Sequence, residues 1–258
     1  RNRHCPVCHA DSTRRWLDAL RRLLLPCPYY LVTFTLPASL RDLARRHQRL
    51  LYHVLIHEAA TTLQLLAADS RYVGARLGIV AVLHTWTRAM LYHPHVHILV
   101  TGGGLDGHTW RRPANPRFLV PGFALSKLFR ARMRRALAAL TDHVPPDTWN
   151  TPWVVHVKHA GDGVRVASYL ARYVHRVAIA NDRIVAFDGD RVIFRYRDSR
   201  SGKSRSCTLP VHSFIARFLQ HALPRGFTKV RHYGLYAPNC RLQLATARGI
   251  LEHHRRPV

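Results

Sequence analysis

His93-Pro94-His95-Val96-His97-Ile98-Leu99-Val100 is the stretch on which the reading turns. The apolar run Val96 to Val100, followed by Gly102-Gly103-Gly104, predicts a buried strand. On a strand, residues two apart share a face, so His95 and His97 point the same way while Val96 enters the core. Two imidazoles placed like this can chelate one divalent ion. The chain has 19 histidines, so a His-x-His pair also arises by chance, and two ligands never complete a site. The pair by itself leaves a metal role and a packing role open.

Around this strand the sequence alternates elements of both kinds. Leu77 to Leu83 predicts a partner strand about ten residues upstream, and Tyr29 to Leu36, closed by Pro37, predicts a third. Asp11 or Ser12 caps a helix running through Leu25, which Pro26 and Pro28 end; Ser39 opens a long helix from Leu40 to about Ala68. A basic helix from about Phe123 to Leu140 follows, then a strand at Trp153 to Lys158, the breaker Gly161-Asp162-Gly163, and a helix from about Arg165 to His175. Asp188-Gly189 joins two alternating segments, 183–187 and 191–197, as a β-hairpin. A short helix near 211–221 and a Gly/Pro-punctuated tail complete the chain. The fold class is α+β with a mainly antiparallel central sheet and flanking helices.

Charge narrows the partner. Forty Lys+Arg face 14 Asp+Glu, a formal net charge of +26, while 47% hydrophobic content supplies a core and excludes disorder. Only four of the basic residues are lysines, a bias that a GC-rich genome explains, but codon bias does not explain the shortage of acids. From His108 to Thr141 there are eight Lys and Arg residues and no Asp or Glu, a field of one sign suited to tracking phosphates. No apolar run approaches the ~18 residues of a bilayer span, and Arg1-Asn2-Arg3-His4 precedes no signal-type apolar segment. The expectation is a cytoplasmic, nucleoid-associated protein with no membrane partner. Cys5-x-x-Cys8, with Cys27, Cys207 and Cys240 scattered, reads as a metal half-site rather than a disulfide framework. The absence of an initiator methionine predicts that the chain is a fragment or starts internally.

Tyr169-Leu170-Ala171-Arg172-Tyr173 sets two phenols at i and i+4 on one helix face, with Arg172 and Arg176 beside them. Core packing explains such a pair, and so does nucleophilic chemistry, because a phenol near arginine and a metal gives up its proton more readily. Lys158, just before that helix, is suited to a phosphate or to plain solvation. Trp86 and Trp110 suit base stacking or packing, and the 102–104 glycines suit a close approach to DNA or a bare turn.

Taken in order, Phe34-Thr35-Leu36-Pro37, His84-Thr85-Trp86, His93-Pro94-His95-Val96-His97 and the segment from Tyr169 through Tyr173 and Arg176 to Ile179 resemble the two-tyrosine rolling-circle insertion-sequence transposases of the HUH (His-hydrophobic-His) endonuclease superfamily. The resemblance continues through Leu223 to Phe227 and Arg231 to Leu235, and so spans nearly the whole chain.

It implies a sheet-based palm with the HUH motif on a central strand and the tyrosines on a facing helix. It implies Mg²⁺ or Mn²⁺ on His95 and His97, and Tyr169 and Tyr173 as nucleophiles. Relatives often carry Gln where this chain has Arg88, which cannot ligate a cation, so His84 is the expected third ligand, with His93 behind it and a purely structural His84 as the alternative. Residues 1–8 resemble the last part of the family's zinc-binding module. Cys5 and Cys8 then supply half of a tetrahedral Zn²⁺ site unless His4 or His9 joins them, since the family's further cysteines lie upstream of Arg1. The implied organisation is a truncated zinc-module remnant and linker helix at 1–28 and a catalytic domain at 29–258, with a C-terminal truncation.

The implied activity is nicking and rejoining of single-stranded or hairpin transposon ends through a 5′-phosphotyrosine, with Lys158, Arg172 and Arg176 on the DNA. Phosphodiester energy is kept in the covalent link, so no nucleotide cofactor is expected, and no phosphate-cradling glycine loop is evident. A plasmid replication initiator or relaxase shares these residues, and a catalytically dead DNA-binding remnant of a mobile element is the reading from a different class.

Overall fold

The computed structural model describes residues 6–115, 118–141, 143–174, 178–198 and 201–253, without the side chains of residues 6–10, 172 and 173. In chain order the elements are α1 (Pro6–Leu23), β1 (Pro28–Thr35), α2 (Arg41–Arg46), α3 (Gln48–Ala67), β2 (Arg76–Trp86), β3 (Tyr92–Asp106), β4 (Thr109–Arg111), α4 (Gly122–Ala138), β5 (Val155–Asp162), α5 (Gly163–Val174), β6 (Ile184–Phe187), β7 (Arg191–Arg197), β8 (Ser204–Pro210), α6 (Val211–Leu219), β9 (Val230–Gly234) and α7 (Arg241–His253).

The main sheet has the order β5-β1-β3-β2-β9, every pairing antiparallel, with β4 folded back on the end of β3. The α+β, mainly antiparallel expectation is met, and β3, which carries the histidines, is the central strand. Period-2 alternation gives the sheet two buried faces. Val96 pairs with Phe34 and Leu83, and Ile98 with Val32 and Ala81; these pack with Leu55, Ile56 and Leu63 of α3 and Phe129 and Met133 of α4. Leu99 and Val80 point the other way, onto Leu20 of α1 and Val166 and Leu170 of α5. The smaller sheet β6-β7-β8, with its predicted hairpin, builds a satellite core from Phe194 and Leu209 against Trp86 and Met90.

Several sequence expectations change. The helix expected over 40–68 is interrupted at His47 (φ −120°, ψ 46°), where α2 closes and α3 begins; the leucine periodicity runs straight across the break and conceals it. The glycine triplet is neither a turn nor a landing place for DNA. A Cβ on Gly102 would lie 2.8 Å from the Pro28 carbonyl oxygen, on Gly103 2.6 Å from that of Arg111, and on Gly104 2.6 Å from that of Arg76. The glycines let three neighbouring backbones close on β3, which therefore continues to Asp106. Gly161 and Asp162 end β5, and α5 starts at Gly163 with no loop between. The supposed irregular tail contains β9 and α7. Trp86 is buried in the satellite core, and Trp110 is partly buried on the α5 side, so packing accounts for both. Among the described residues no helix is long and apolar enough to cross a membrane.

Candidate metal centre and tyrosine helix

Register brings the site together. His95 on β3 stands opposite His84 on β2, and His97 stands opposite Thr33 on β1 and Val82 on β2. All these side chains lie on the α5 face of the sheet. His84 Nδ1 is 2.8 Å from His95 Nε2, which is 3.1 Å from His97 Nε2. One nitrogen from each of the three rings lies within 4.8 Å of the others. The expected third partner, His84, joins the trio. His93 does not: the Arg41 guanidinium donates to its Nδ1 at 2.8 Å.

The orientation of each ring has a cause. His95 Nδ1–H donates to the His93 carbonyl oxygen at 2.6 Å, which fixes its tautomer and turns the Nε2 lone pair toward His84 and His97. Thr33 Oγ1 is 3.1 Å from His97 Nδ1 and anchors that ring, leaving its Nε2 toward His95. The His84 ring meets Trp86 edge-on, with centroids 3.9 Å apart. Burial, with like-charge repulsion from the neighbouring rings second, holds His84 and His95 well below the usual histidine range, and burial pushes His97 down to about 4.

Neutral imidazoles with converging lone pairs are the form in which histidine binds metal. Three imidazole nitrogens within 4.8 Å of one another stand within reach of a single ion. The donor set fits a divalent cation. The supporting Thr33, His93 carbonyl and Arg41 lay outside the sequence reading. Only strand register reveals Thr33, because a threonine in a strand is otherwise an ordinary β-former.

α5 crosses this face. The Tyr169 ring lies 6.5 Å from that of His97, centroid to centroid and nearly perpendicular, and is half-buried. The backbone of residue 173 follows one turn later on α5, while its side chain and that of Arg172 lie outside the described residues, as do Cys5 and Arg176 altogether. Cys8 is on α1 with its side chain undescribed. Lys158 is exposed on β5 opposite Leu31, which is opposite Leu99, so it projects from the same sheet face as His97. Tyr233 and Tyr236 are held elsewhere. Tyr233 faces the α3 side, while the Tyr236 hydroxyl is buried 2.5 Å from that of Tyr29, burial raising both phenol pKa values.

An antiparallel sheet with a His-hydrophobic-His strand at its centre and a tyrosine-bearing helix across it is the arrangement that the sequence resemblance implies. Residues 78–243 match the family described as "Putative transposase", and residues 1–36 match the "Transposase zinc-binding domain"; the chain belongs to this transposase family. The "Putative transposase y4qJ" of Sinorhizobium fredii is 38% identical over 276 residues, covering 97% of this chain and 69% of its own length. The "Transposase for insertion sequence element IS801" of Pseudomonas savastanoi pv. phaseolicola is 30% identical over 257 residues, covering 91% of this chain and 60% of its own. Among solved structures, TrwC complexed with a 27-mer DNA aligns over 86% of this chain and 73% of that one, at 12% identity and a TM-score of 0.36.

Proposed function

We propose that this chain is a rolling-circle transposase that nicks and rejoins single-stranded DNA at transposon ends, with Tyr169 and Tyr173 as its nucleophiles. The observation that carries the reading is the Tyr169 ring 6.5 Å from that of His97, one of three histidines whose ring nitrogens converge. His84, His95 and His97 would hold Mg²⁺ or Mn²⁺, which when bound would supply Lewis-acid polarisation of the scissile phosphate. The chain's own groups do the rest. Thr33 and the His93 carbonyl hold the rings in register, and Lys158, Arg172 and Arg176 bind flanking phosphates of an unpaired or hairpin end.

One of the two tyrosines gives up its phenolic proton and its oxygen attacks phosphorus. The P–O3′ bond breaks, the 3′ oxygen takes a proton, and a 5′-phosphotyrosine remains. The other, one helical turn away, repeats the step on a second strand while the first link persists. Because the phosphodiester energy stays in the link, the reaction requires no nucleotide cofactor. In the same reading residues 29–258 form the catalytic domain and residues 1–28 belong to a zinc module and linker helix, with Cys5 and Cys8 as two ligands of a Zn²⁺ site. The protein then works beside its DNA in the bacterial cytoplasm.

The test is an SDS-resistant adduct between the protein and a labelled single-stranded transposon-end oligonucleotide, mapped by peptide sequencing. We expect the label on Tyr169 or Tyr173, loss of the adduct in the Tyr169→Phe/Tyr173→Phe double variant, and loss in EDTA. An undiminished adduct in the double variant would overturn the nucleophile assignment, and undiminished cleavage in EDTA would overturn the metal assignment.

A further inference from the structure

Outside the site, one groove combines an exposed aromatic ring with cations. It has a volume of about 440 Å³ and lies between the first turns of α4 and the segment leading into β5. Phe123, on its rim, is 72% exposed, unusual for a phenylalanine, whose place is normally inside. Lys127 Nζ lies 4.5 Å from the centre of that ring, and Arg130, also lining the groove, is held by a 3.1 Å hydrogen bond from Nη1 to the Trp149 carbonyl. The Ser126 hydroxyl donates to the Trp153 carbonyl and fixes the opposite wall. The groove is therefore built, and its α4 wall lies in the stretch from His108 to Thr141 that has no Asp or Glu.

Its position relates it to the chemistry. β5 is the outermost strand of the main sheet. Lys158 projects on the His97 face, whereas Val155 and Val157 turn to the α3 and α4 side, where Val155 lines the groove. A strand leaving the His97 face past Lys158 has only to cross this edge to reach Phe123.

We infer that the groove is a subsite for one unpaired nucleotide of the DNA strand, whose base stacks on Phe123 while Lys127 and Arg130 take the adjoining phosphates. An aromatic platform flanked by cations suits this ligand, since every base offers a π-face and the phosphates match the charge. The inference rests on the single-strand reading above and locates where the strand runs beyond the cleavage position.

The test uses an oligonucleotide spanning the cleavage site, with 2-aminopurine at successive positions on either side. It is performed on the Tyr169→Phe/Tyr173→Phe protein so that chemistry is silent. We expect quenching confined to one short stretch on one side. Adding Phe123→Ala should abolish it and weaken binding about tenfold, the order of one lost base–aromatic stack, with Phe123→Tyr restoring both. Lys127→Ala should lower the salt slope by about 0.7, the share of one phosphate on a single strand. Unchanged affinity in Phe123→Ala, quenching that survives it, or loss of self-association instead of DNA binding would each overturn the proposal. The adduct assay reports separately, so absence of an adduct in the wild-type protein refutes strand transfer while the quenching still decides the groove.

Discussion

Thr33 is where a single side chain does most for the site without belonging to it. Its hydroxyl is 3.1 Å from His97 Nδ1, and this leaves His97 Nε2 for the cluster. Such supporting contacts typically carry 10- to 100-fold in metal affinity. Thr33→Val keeps the β-branched shape and removes the hydrogen bond, so Mn²⁺ affinity measured by calorimetry should fall about tenfold with little change in melting temperature. An unchanged affinity would show that packing alone orients His97. The contrast with the histidines explains what was legible. His95 and His97 follow from a two-residue period, and the shared face of positions 169 and 173 from a four-residue one, because local geometry fixes both. Thr33 and the role of the His93 carbonyl follow from cross-strand register, which no local pattern encodes.

Among the elements, β1, β2, β3, α4 and α5 announce themselves by apolar runs or helical periodicity, whereas β8, β9 and α7 do not. β8 is mostly exposed, β9 has only five residues, and Ala247 is the sole fully buried residue of α7. Their order comes from docking on a sheet already formed. β9 shows how tight that docking is. At its end Gly234 has φ +60°, a conformation that side chains resist, and a Cβ there would lie 1.9 Å from the Leu77 carbonyl oxygen. That same carbonyl accepts the Leu235 N–H at 2.9 Å, so the edge pairing and the turn share one atom. Gly234→Ala should therefore destabilise by about 3 kcal/mol or more in urea denaturation, strain and clash adding. Gly249, inside α7 with open space around it, is the control: Gly249→Ala should be neutral or stabilising by up to about 1 kcal/mol. Equal effects at the two positions would mean that β9 closes on the sheet more loosely than its register indicates.

Over the whole molecule, buried histidines make stability depend on pH in a direction that can be worked out. Burial pushes His97 and His221 down to about 4, and His84 and His95 well below the usual range. His221 is held neutral between Thr85 Oγ1 at 3.3 Å and the Met90 carbonyl at 3.1 Å, under the Trp86 ring. In the unfolded chain each histidine titrates near 6.5. Between that value and about 4 the unfolded chain binds protons that the native state refuses, so stability is complete above pH 6.5 and is lost as pH falls toward 4. Each such group contributes a slope of up to about 1.4 kcal/mol per pH unit in that window. Urea midpoints measured in EDTA, so that metal release adds nothing, should be level from pH 8 to 7 and decline steadily below about 6.5. His221→Gln can still donate to the Met90 carbonyl and accept from Thr85, so it should cost little at pH 7.5 and flatten the decline by about one proton. A decline beginning only below pH 4 would assign acid lability to the carboxylates and leave the buried histidines without a part in it.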